Sequence, residues 1–325
     1  MTLIQTLLSP TRILQVSDRR LTKEGEPVSD STNKVVSWCG KFFVAFTGPA
    51  FMDHRASELP TSEWIAATLA RNGDAAGDVT AVVEMLQASL DHRVGMLPHR
   101  WDKRMTVTMS GFAKFPDIPG DGITSVCYCI SNYERSEDDG VKIYPHAFPE
   151  FETYINRYSG AVDADVAFIH RTSGHPFAFD DMRLIKKLGP RLYHDQNWDG
   201  WVRLMIKVQR AISERADPNE PGLVSRVGLD AMVMSLPRLS YDDPKGETLL
   251  TNVSTPSLAD DRPSFMFVPE TGFSGEAFGP HHACRGKAMS LEGEDLNSYI
   301  RSWDPPAHTE LVVRHDITNT PGEWC

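Results

Sequence analysis

The chain has 325 residues, enough for one large domain or about two of average size. Hydrophobic residues make up 41% and charged residues 24%, a balance that indicates a globular protein with a sizeable core and excludes a disordered one. The net charge of −11 argues against nucleic acid and anionic membranes as main partners, because both are polyanions.

The first fifty residues have the pattern of short strands separated by turn signals, among them Ser9-Pro10 and Cys39-Gly40. Cys39-Gly40 predicts a tight hairpin between the third and fourth strands. The four predicted strands are 3–6, 12–16, 34–38 and 41–46. Two helices are predicted after them. Pro60-Thr61-Ser62 is the start signal of the first, and apolar residues spaced by three and four over 79–94 indicate the second.

Strand patterns return in the middle of the chain, with exposed loops predicted at 116–122 and 138–140. A long helix is predicted over 198–212, where Trp198 and Trp201 begin an apolar stripe that favours a helix core. The predicted strands beyond residue 100 are 105–109, 125–130, 165–170, 227–234, 265–268 and 311–313. This segregated order predicts an α+β fold and not a doubly wound parallel sheet.

The organisation of the chain and its location are also predicted. We expect one domain over residues 2–235 and a C-terminal extension, 236–325, that packs on it, because the apolar runs of the extension are short and scattered. No apolar run approaches the roughly 20 residues of a membrane helix. Residues 1–8 lack the features of a signal peptide. Five cysteines are an odd and sparse set, so reduced thiols in a cytoplasmic protein are expected.

The residues that carry chemistry begin with Thr2. Met1 precedes a small residue, and removal of Met1 would leave Thr2 with a free α-amine beside its own hydroxyl. A hydroxyl needs a nearby base to become a nucleophile, and an N-terminal amine can be that base. A threonine at position 2 is common, so this residue alone is weak evidence.

Three further residues stand at predicted strand ends, namely Asp18, Lys34 and Gly48, which follow Thr2 by 16, 32 and 46 positions. A lysine near an α-amine lowers the pKa of that amine by like-charge repulsion, and a buried lysine needs an anion such as Asp18. The backbone N–H of Gly48 can donate to an oxyanion, whereas Pro49 has no N–H to offer. Each residue alone is more simply explained as an ordinary strand end or turn.

Together, these residues resemble the proteasome β-subunit family of N-terminal-nucleophile hydrolases, including its bacterial branch. That family has a catalytic aspartate, lysine and glycine at the same three offsets from its mature threonine, and its Asp-x-Arg pattern matches Asp18 and Arg20. The resemblance implies a four-layer αββα sandwich, with two antiparallel sheets between helical layers. It also implies a second helix pair whose helices are separated by a strand.

The resemblance implies helper residues as well. Ser173 stands where the family has a helper serine after a later strand, and Ser225 matches the serine of an Asp-x-x-Ser pair. Gly222 occupies the aspartate position of that pair, and Asp217 is the nearest upstream aspartate. This departure from the family pattern bears on activity.

The expected function is therefore an N-terminal-threonine hydrolase of peptide or amide bonds that needs no cofactor or metal. Two alternatives stay open: a non-catalytic structural subunit of a proteasome-like assembly, and a stand-alone acylase or amidase. The family implies self-assembly, as in a homo-oligomeric ring. Metal chemistry is disfavoured, because Cys127-x-Cys129 has no second pair and His281-His282-Ala283-Cys284 fits no zinc spacing. We expect the two cysteines to be core or half-buried residues and 281–284 to form a loop.

Overall fold

A computed structural model describes most of the chain up to residue 313. The described residues are 2–23, 26–29, 32–52, 59–71, 78–137, 140–158, 168–174, 179–215, 227–238, 251–252, 263–268, 280–284, 287–292, 299–304 and 309–313. Within them the fold is mixed α+β, as the sequence predicts.

The helices and strands are numbered in chain order. The helices are α1 (Thr61–Ala70), α2 (Val79–Gly95), α3 (Phe179–His194) and α4 (Trp198–Ser213). The strands up to α1 are β1 (Ile4–Leu8), β2 (Arg12–Asp18), β3 (Leu21–Lys23), β4 (Glu26–Ser29), β5 (Val35–Trp38) and β6 (Phe42–Thr47). Those between α2 and α3 are β7 (Thr106–Lys114), β8 (Ile123–Ser131), β9 (Glu134–Glu137), β10 (Gly140–Ile143), β11 (Glu152–Arg157) and β12 (Ile169–Ser173). Those after α4 are β13 (Ala231–Pro237), β14 (Thr251–Asn252), β15 (Ser264–Val268), β16 (His281–Cys284), β17 (Lys287–Glu292), β18 (Tyr299–Asp304) and β19 (Thr309–Val313).

Two large sheets contain most of the strands. The six-stranded sheet has the order β12-β1-β2-β13-β15-β14, and the nine-stranded sheet has the order β11-β8-β7-β6-β5-β16-β17-β18-β19. In the first sheet Ile4 lies opposite Ser17 of β2 and Ser173 of β12. In the second, Thr47 lies opposite Thr106, which lies opposite Ser131. These registers bring the N-terminal strand ends together with residues from the middle of the chain.

Three hydrophobic clusters lie on successive faces of these sheets. The first packs β5, β6, β7 and β8 against α1 and α2. The second packs β1, β2 and β13 against α3 and α4 and includes the fully buried Trp201. The third lies between residues of both sheets, including Ile4 and Phe43. The alternation along β6 explains this division, because Val44 points to the first cluster while Phe43 and Ala45 point to the third.

Local signals read from the sequence explain several element boundaries. Asp78 caps α2, because its carboxylate accepts hydrogen bonds from the N–H groups of Thr80 and Ala81. Cys39 and Gly40 both have positive φ angles, +50° and +64°, in the tight turn between β5 and β6. The two helices predicted within 61–95, the helix predicted over 198–212, the hairpin at Cys39-Gly40 and the loop at 116–122 are confirmed.

Other parts of the fold differ from the sequence prediction. Helix α3 was not expected, since Gly189 and Pro190 interrupt its apolar pattern, and no strand lies between α3 and α4. Residues 227–230 precede β13 instead of belonging to it. The prediction of a loop at 281–284 was wrong. These residues form β16, which pairs in parallel with β5 and antiparallel with β17. Cys127 and Cys129 are buried in the core as expected, with their Sγ atoms 3.6 Å apart.

Segments after residue 235 supply strands to both sheets. β15 pairs with β13 in the six-stranded sheet, and β16 places β17, β18 and β19 beyond β5 in the nine-stranded sheet. Among the described residues, no helix is long and apolar enough to cross a membrane.

Candidate active site

Thr2 lies just before β1 and is buried, with 5% of its surface exposed. Its Oγ1 atom accepts a hydrogen bond from Nζ of Lys34 at 2.9 Å. The strand pairing of β1 fixes this position from both sides, because Ile4 pairs with β2 and with β12. The predicted nucleophile therefore touches the predicted lysine.

Lys34 lies immediately before β5 and is also buried. Besides Thr2, its Nζ atom donates to Oδ2 of Asp18 at 3.1 Å and to the backbone carbonyl oxygen of Arg20. An ammonium has three N–H bonds, so these three acceptors satisfy all of them. The charge of Lys34 is thus held in one place, with one of its N–H bonds directed at the hydroxyl of Thr2.

Asp18 is the last residue of β2 and has no exposed surface. Its Oδ1 atom accepts from the backbone N–H of Leu3 at 2.8 Å, and its Oδ2 atom accepts from the N–H groups of Arg20 and Gly228, both at 3.1 Å. These bonds compensate the burial of the carboxylate together with the ion pair to Lys34. Asp18 thereby ties the segment that carries Thr2 to the residues before β13.

Gly48 follows β6 directly and has a φ angle of +110°. A Cβ atom at this position would lie 2.4 Å from the carbonyl oxygen of Arg104, so the conformation and the packing both require glycine. Gly48 is exposed, whereas Thr47 before it is buried. The glycine predicted to donate to an oxyanion is therefore open to a substrate.

Ser173 ends β12 opposite Ile4 and is buried, and its Oγ atom has no hydrogen-bond partner among the described residues. Gly174 follows with a φ angle of +90°. A Cβ atom on Gly174 would lie 2.0 Å from the carbonyl oxygen of Thr2 and 2.8 Å from Cγ2 of Thr47. The backbone after Ser173 therefore touches both the Thr2 segment and the Gly48 segment.

The structure thus brings together five of the predicted site residues: Thr2, Asp18, Lys34, Gly48 and Ser173. The remaining one, Ser225, lies outside the described residues, as do Met1, Asp217 and Gly222.

Four residues at the site were not predicted from the sequence. Gly228 donates its N–H to Asp18, and Gly174 packs on Thr2. Glu134 accepts a hydrogen bond from the N–H of Gly174 at 2.8 Å. The hydroxyl of Tyr133 lies 3.0 Å from Oγ1 of Thr47. No spacing in the sequence distinguishes these residues, because strand pairing between distant segments creates their contacts.

Arg19, between Asp18 and Arg20, is almost fully buried, and its guanidinium lies over the ring of Phe267 at 4.5 Å. Burial lowers the pKa of Arg19 to about 10, partly offset by the charge of Asp230. Burial also raises the pKa of Tyr133, so its hydroxyl stays protonated beside Thr47. Arg19 therefore stays charged and Tyr133 stays neutral near pH 7.

No group of three or more His, Cys, Asp or Glu side chains that could hold a metal ion occurs in the part of the chain that the structure describes. The chemistry available at the site is that of a hydroxyl, an ammonium, a carboxylate and backbone N–H groups. No protein-family model matches the chain, and no curated protein matches its sequence.

Proposed function

We propose that the protein is an N-terminal-threonine hydrolase of amide or peptide bonds, with Thr2 as its nucleophile once Met1 is removed. The observation that carries the proposal is the 2.9 Å hydrogen bond between Nζ of Lys34 and Oγ1 of Thr2. The same ammonium is paired with a fully buried Asp18. Burying a charged group costs free energy, and such groups are concentrated at functional sites. Activation of a nucleophile is a role that fits an ammonium directed at a threonine hydroxyl.

In the proposed mechanism, the free α-amine of Thr2 takes the proton of its own hydroxyl, and Oγ1 attacks the substrate carbonyl carbon. The carbonyl electron pair moves to oxygen and gives a tetrahedral oxyanion, to which the N–H of Gly48 donates. The oxyanion collapses, the C–N bond breaks and the leaving amine takes the proton from the α-ammonium. Water then hydrolyses the ester, which returns the hydroxyl of Thr2 and releases the acid.

Lys34 contributes electrostatically to this mechanism. Its ammonium stabilises negative charge that develops on Oγ1, and its proximity disfavours protonation of the α-amine. The carboxylate of Asp18 and the carbonyl of Arg20 hold Nζ in place. Such preorganised charges need no rearrangement during the reaction, which is the main source of their effect on rate.

The arrangement of the core supports the proposed family fold. The three hydrophobic clusters fit the order of helices, sheet, sheet and helices that an αββα sandwich requires. We propose that the chain is a member of the N-terminal-nucleophile hydrolases with this sandwich, to which strands from after residue 235 are added.

The proposal extends to substrate, location and assembly. Amide or peptide bonds are the proposed substrates, because the resemblance carries that chemistry. The sparse cysteines support a cytoplasmic location. The family resemblance supports self-assembly into a ring.

Two alternative functions use the same fold. A stand-alone acylase would use the same residues. A non-catalytic subunit is disfavoured, because Lys34 binds both Thr2 and Asp18.

Intact mass of the purified protein tests the proposal first, since the mechanism requires loss of Met1. A β-lactone then tests the nucleophile. Attack by Oγ1 of Thr2 opens the lactone ring, so one adduct with the full mass of the lactone should map to Thr2. Thr2→Ala should abolish the adduct, whereas Thr11→Ala, at an exposed threonine between β1 and β2, should leave it unchanged. Retained Met1, or a wild-type protein without adduct, would contradict the proposed function.

A further inference from the structure

We propose that Tyr133 and Glu134 are positioning residues that hold two backbone segments, 47–48 and 173–174, which meet at Gly174 beside Thr2. Their effect on turnover rests on the hydrolase function proposed above, whereas their effect on the position of Thr2 does not. Both residues are buried, with 2% and 1% of their surfaces exposed.

Tyr133 and Glu134 lie just beyond one end of the nine-stranded sheet, and Glu134 is the first residue of β9. Thr47, Thr106 and Ser131 lie in one row across β6, β7 and β8. Tyr133 and Glu134 follow the end of β8, so they lie at the same end of the sheet at which Thr47 ends β6. The chain therefore delivers two consecutive side chains to the end of the sheet that carries Gly48.

These two side chains bind the two segments that meet at Gly174, next to Thr2. The hydroxyl of Tyr133 lies 3.0 Å from Oγ1 of Thr47, the residue before Gly48. Oε1 of Glu134 accepts the N–H of Gly174 at 2.8 Å, the residue after Ser173. One dipeptide thereby fixes the segment of the proposed oxyanion donor and the segment of the helper serine.

Gly174 transmits this positioning to Thr2. The 2.0 Å separation between a Cβ atom built on Gly174 and the carbonyl oxygen of Thr2 means that the two backbones are in direct contact. A shift of Gly174 therefore shifts the backbone of Thr2, from which both the α-amine and the hydroxyl project. Displacements of about 1 Å can lower the rate of catalysis about 100-fold.

The dipeptide is itself rigidly held. Oγ of Ser131 accepts the N–H groups of Tyr133 and Glu134 at 3.2 and 2.8 Å. Oε2 of Glu134 accepts the hydroxyl of Tyr154 at 3.0 Å, and that hydroxyl accepts from Arg171 at 2.8 Å. Both oxygens of the buried carboxylate are thus occupied, and its charge faces Arg171 through Tyr154. A network satisfied in this way is suited to hold a catalytic geometry.

The test compares Tyr133→Phe and Glu134→Gln with two matched controls. Tyr144→Phe and Glu137→Gln alter an exposed side-chain hydrogen bond in and beside the same β9–β10 hairpin, which begins at Glu134, and they leave the Tyr133 hydroxyl and the Glu134 carboxylate in place. Glu134→Ala is added because glutamine keeps an oxygen that can still accept the N–H of Gly174.

The first measurement is nuclear magnetic resonance of the full chain, with the amide signals of Gly174 and Gly48 and the methyl signal of Thr2 assigned. We expect Glu134→Gln and, more strongly, Glu134→Ala to move the signals of Gly174 and Thr2. Tyr133→Phe should move that of Gly48. The controls should move none of them. Unchanged Gly174 and Thr2 signals in a folded Glu134→Ala protein would overturn the positioning role.

The second measurement is the rate of β-lactone addition, together with kcat and KM on a fluorogenic amide. We expect both kcat and the addition rate to fall at least tenfold in Tyr133→Phe and Glu134→Ala, with KM within twofold of wild type. Glu134→Gln should recover part of the loss. A wild-type protein that does not react would refute the proposed hydrolase while the magnetic resonance comparison still decides the positioning role. Wild-type rates in both variants would overturn the proposed effect on turnover.

Discussion

Nζ of Lys34 and Oγ1 of Thr2 form a hydrogen bond of 2.9 Å across 32 positions of the sequence, in a part of the molecule where both residues are buried. This contact is made because β1 and β5 belong to different sheets whose ends meet at Asp18. The packing of strand ends from two sheets, and not a local sequence motif, brings these residues together.

Replacement of Lys34 tests the chemistry of the site. Lys34→Ala removes the cation beside Oγ1, and we expect kcat to fall about 10²- to 10³-fold, the range found for loss of one preorganised electrostatic group. Asp18 keeps its three backbone donors, so the circular dichroism spectrum should stay that of wild type. Lys41→Ala, in the turn that follows β5, is the control and should keep full activity. Turnover that survives Lys34→Ala would refute the mechanism.

Replacement of Asp18 tests the stability of the site. Asp18→Asn removes the partner of the buried Lys34 and replaces one acceptor oxygen by a donor. The free energy of unfolding should fall by about 2–4 kcal/mol, measured by urea denaturation. Asp117→Asn is the control, because Asp117 pairs with Arg157 at the surface, where an ion pair stabilises the fold little. Equal stability of the two variants would show that the Asp18–Lys34 pair is not needed for the fold.

The contact between Gly174 and Thr2 can be separated from the strain of the backbone. Gly174 and Gly120 have similar φ angles, +90° and +83°, but a Cβ atom on Gly120 would meet nothing within 4 Å. Gly120→Ala should therefore lower the free energy of unfolding by about 1 kcal/mol, from strain alone. Gly174→Ala should lower it by a further 1–3 kcal/mol or so, because the added methyl group meets the carbonyl of Thr2. Thermal melts of both variants measure the difference, and equal losses would contradict the close contact.

The dependence of stability on pH follows from His170. This half-buried residue of β12 lies stacked 6.4 Å from the ring of Trp201, and burial lowers its pKa to about 4. Because the unfolded chain binds the proton near pH 6.5 and the folded chain only near pH 4, stability is full above pH 6.5 and falls as the pH drops towards 4. We expect a loss of roughly 1–2 kcal/mol from this residue.

Urea denaturation at several pH values measures this effect. His170→Gln should unfold with a weaker pH dependence than wild type between pH 6.5 and 4. His282 also has its pKa lowered to about 4, so only the difference between wild type and variant reports on His170. His194→Gln, at the exposed end of α3, should retain the wild-type dependence. Identical pH profiles for the wild type and His170→Gln would contradict the prediction.

The sequence predicted the centre of the site because its residues lie at the ends of short strands with clear patterns. Alternation of apolar residues and the turn at Cys39-Gly40 set the positions of β1, β2, β5 and β6. Once those strands are placed, Asp18, Lys34 and Gly48 must stand at strand ends. The family resemblance then supplied the expectation that these ends meet.

The sequence could not predict contacts that depend on distant pairing. Glu134 binds Gly174 because β8 and β12 deliver them to one place from different sheets, and neither residue has a local signal of that role. Helix α3 escaped prediction because Pro190 lies inside it, where proline normally ends a helix. A loop was predicted at 281–284, whose four residues include two histidines. These residues form a strand because they pair with β5 and β17.

The parallel pairing of β16 with β5 has a consequence for how the protein is made. β5 begins one residue after Lys34, yet its partner on one side, β16, is synthesised about 245 residues later. During translation, the backbone next to Lys34 therefore lacks its β16 partner until residue 284 has been synthesised. A strand edge without its partner invites pairing with other chains. The contact between Thr2 and Lys34 therefore lies next to a strand pairing that is completed only after most of the chain has been made.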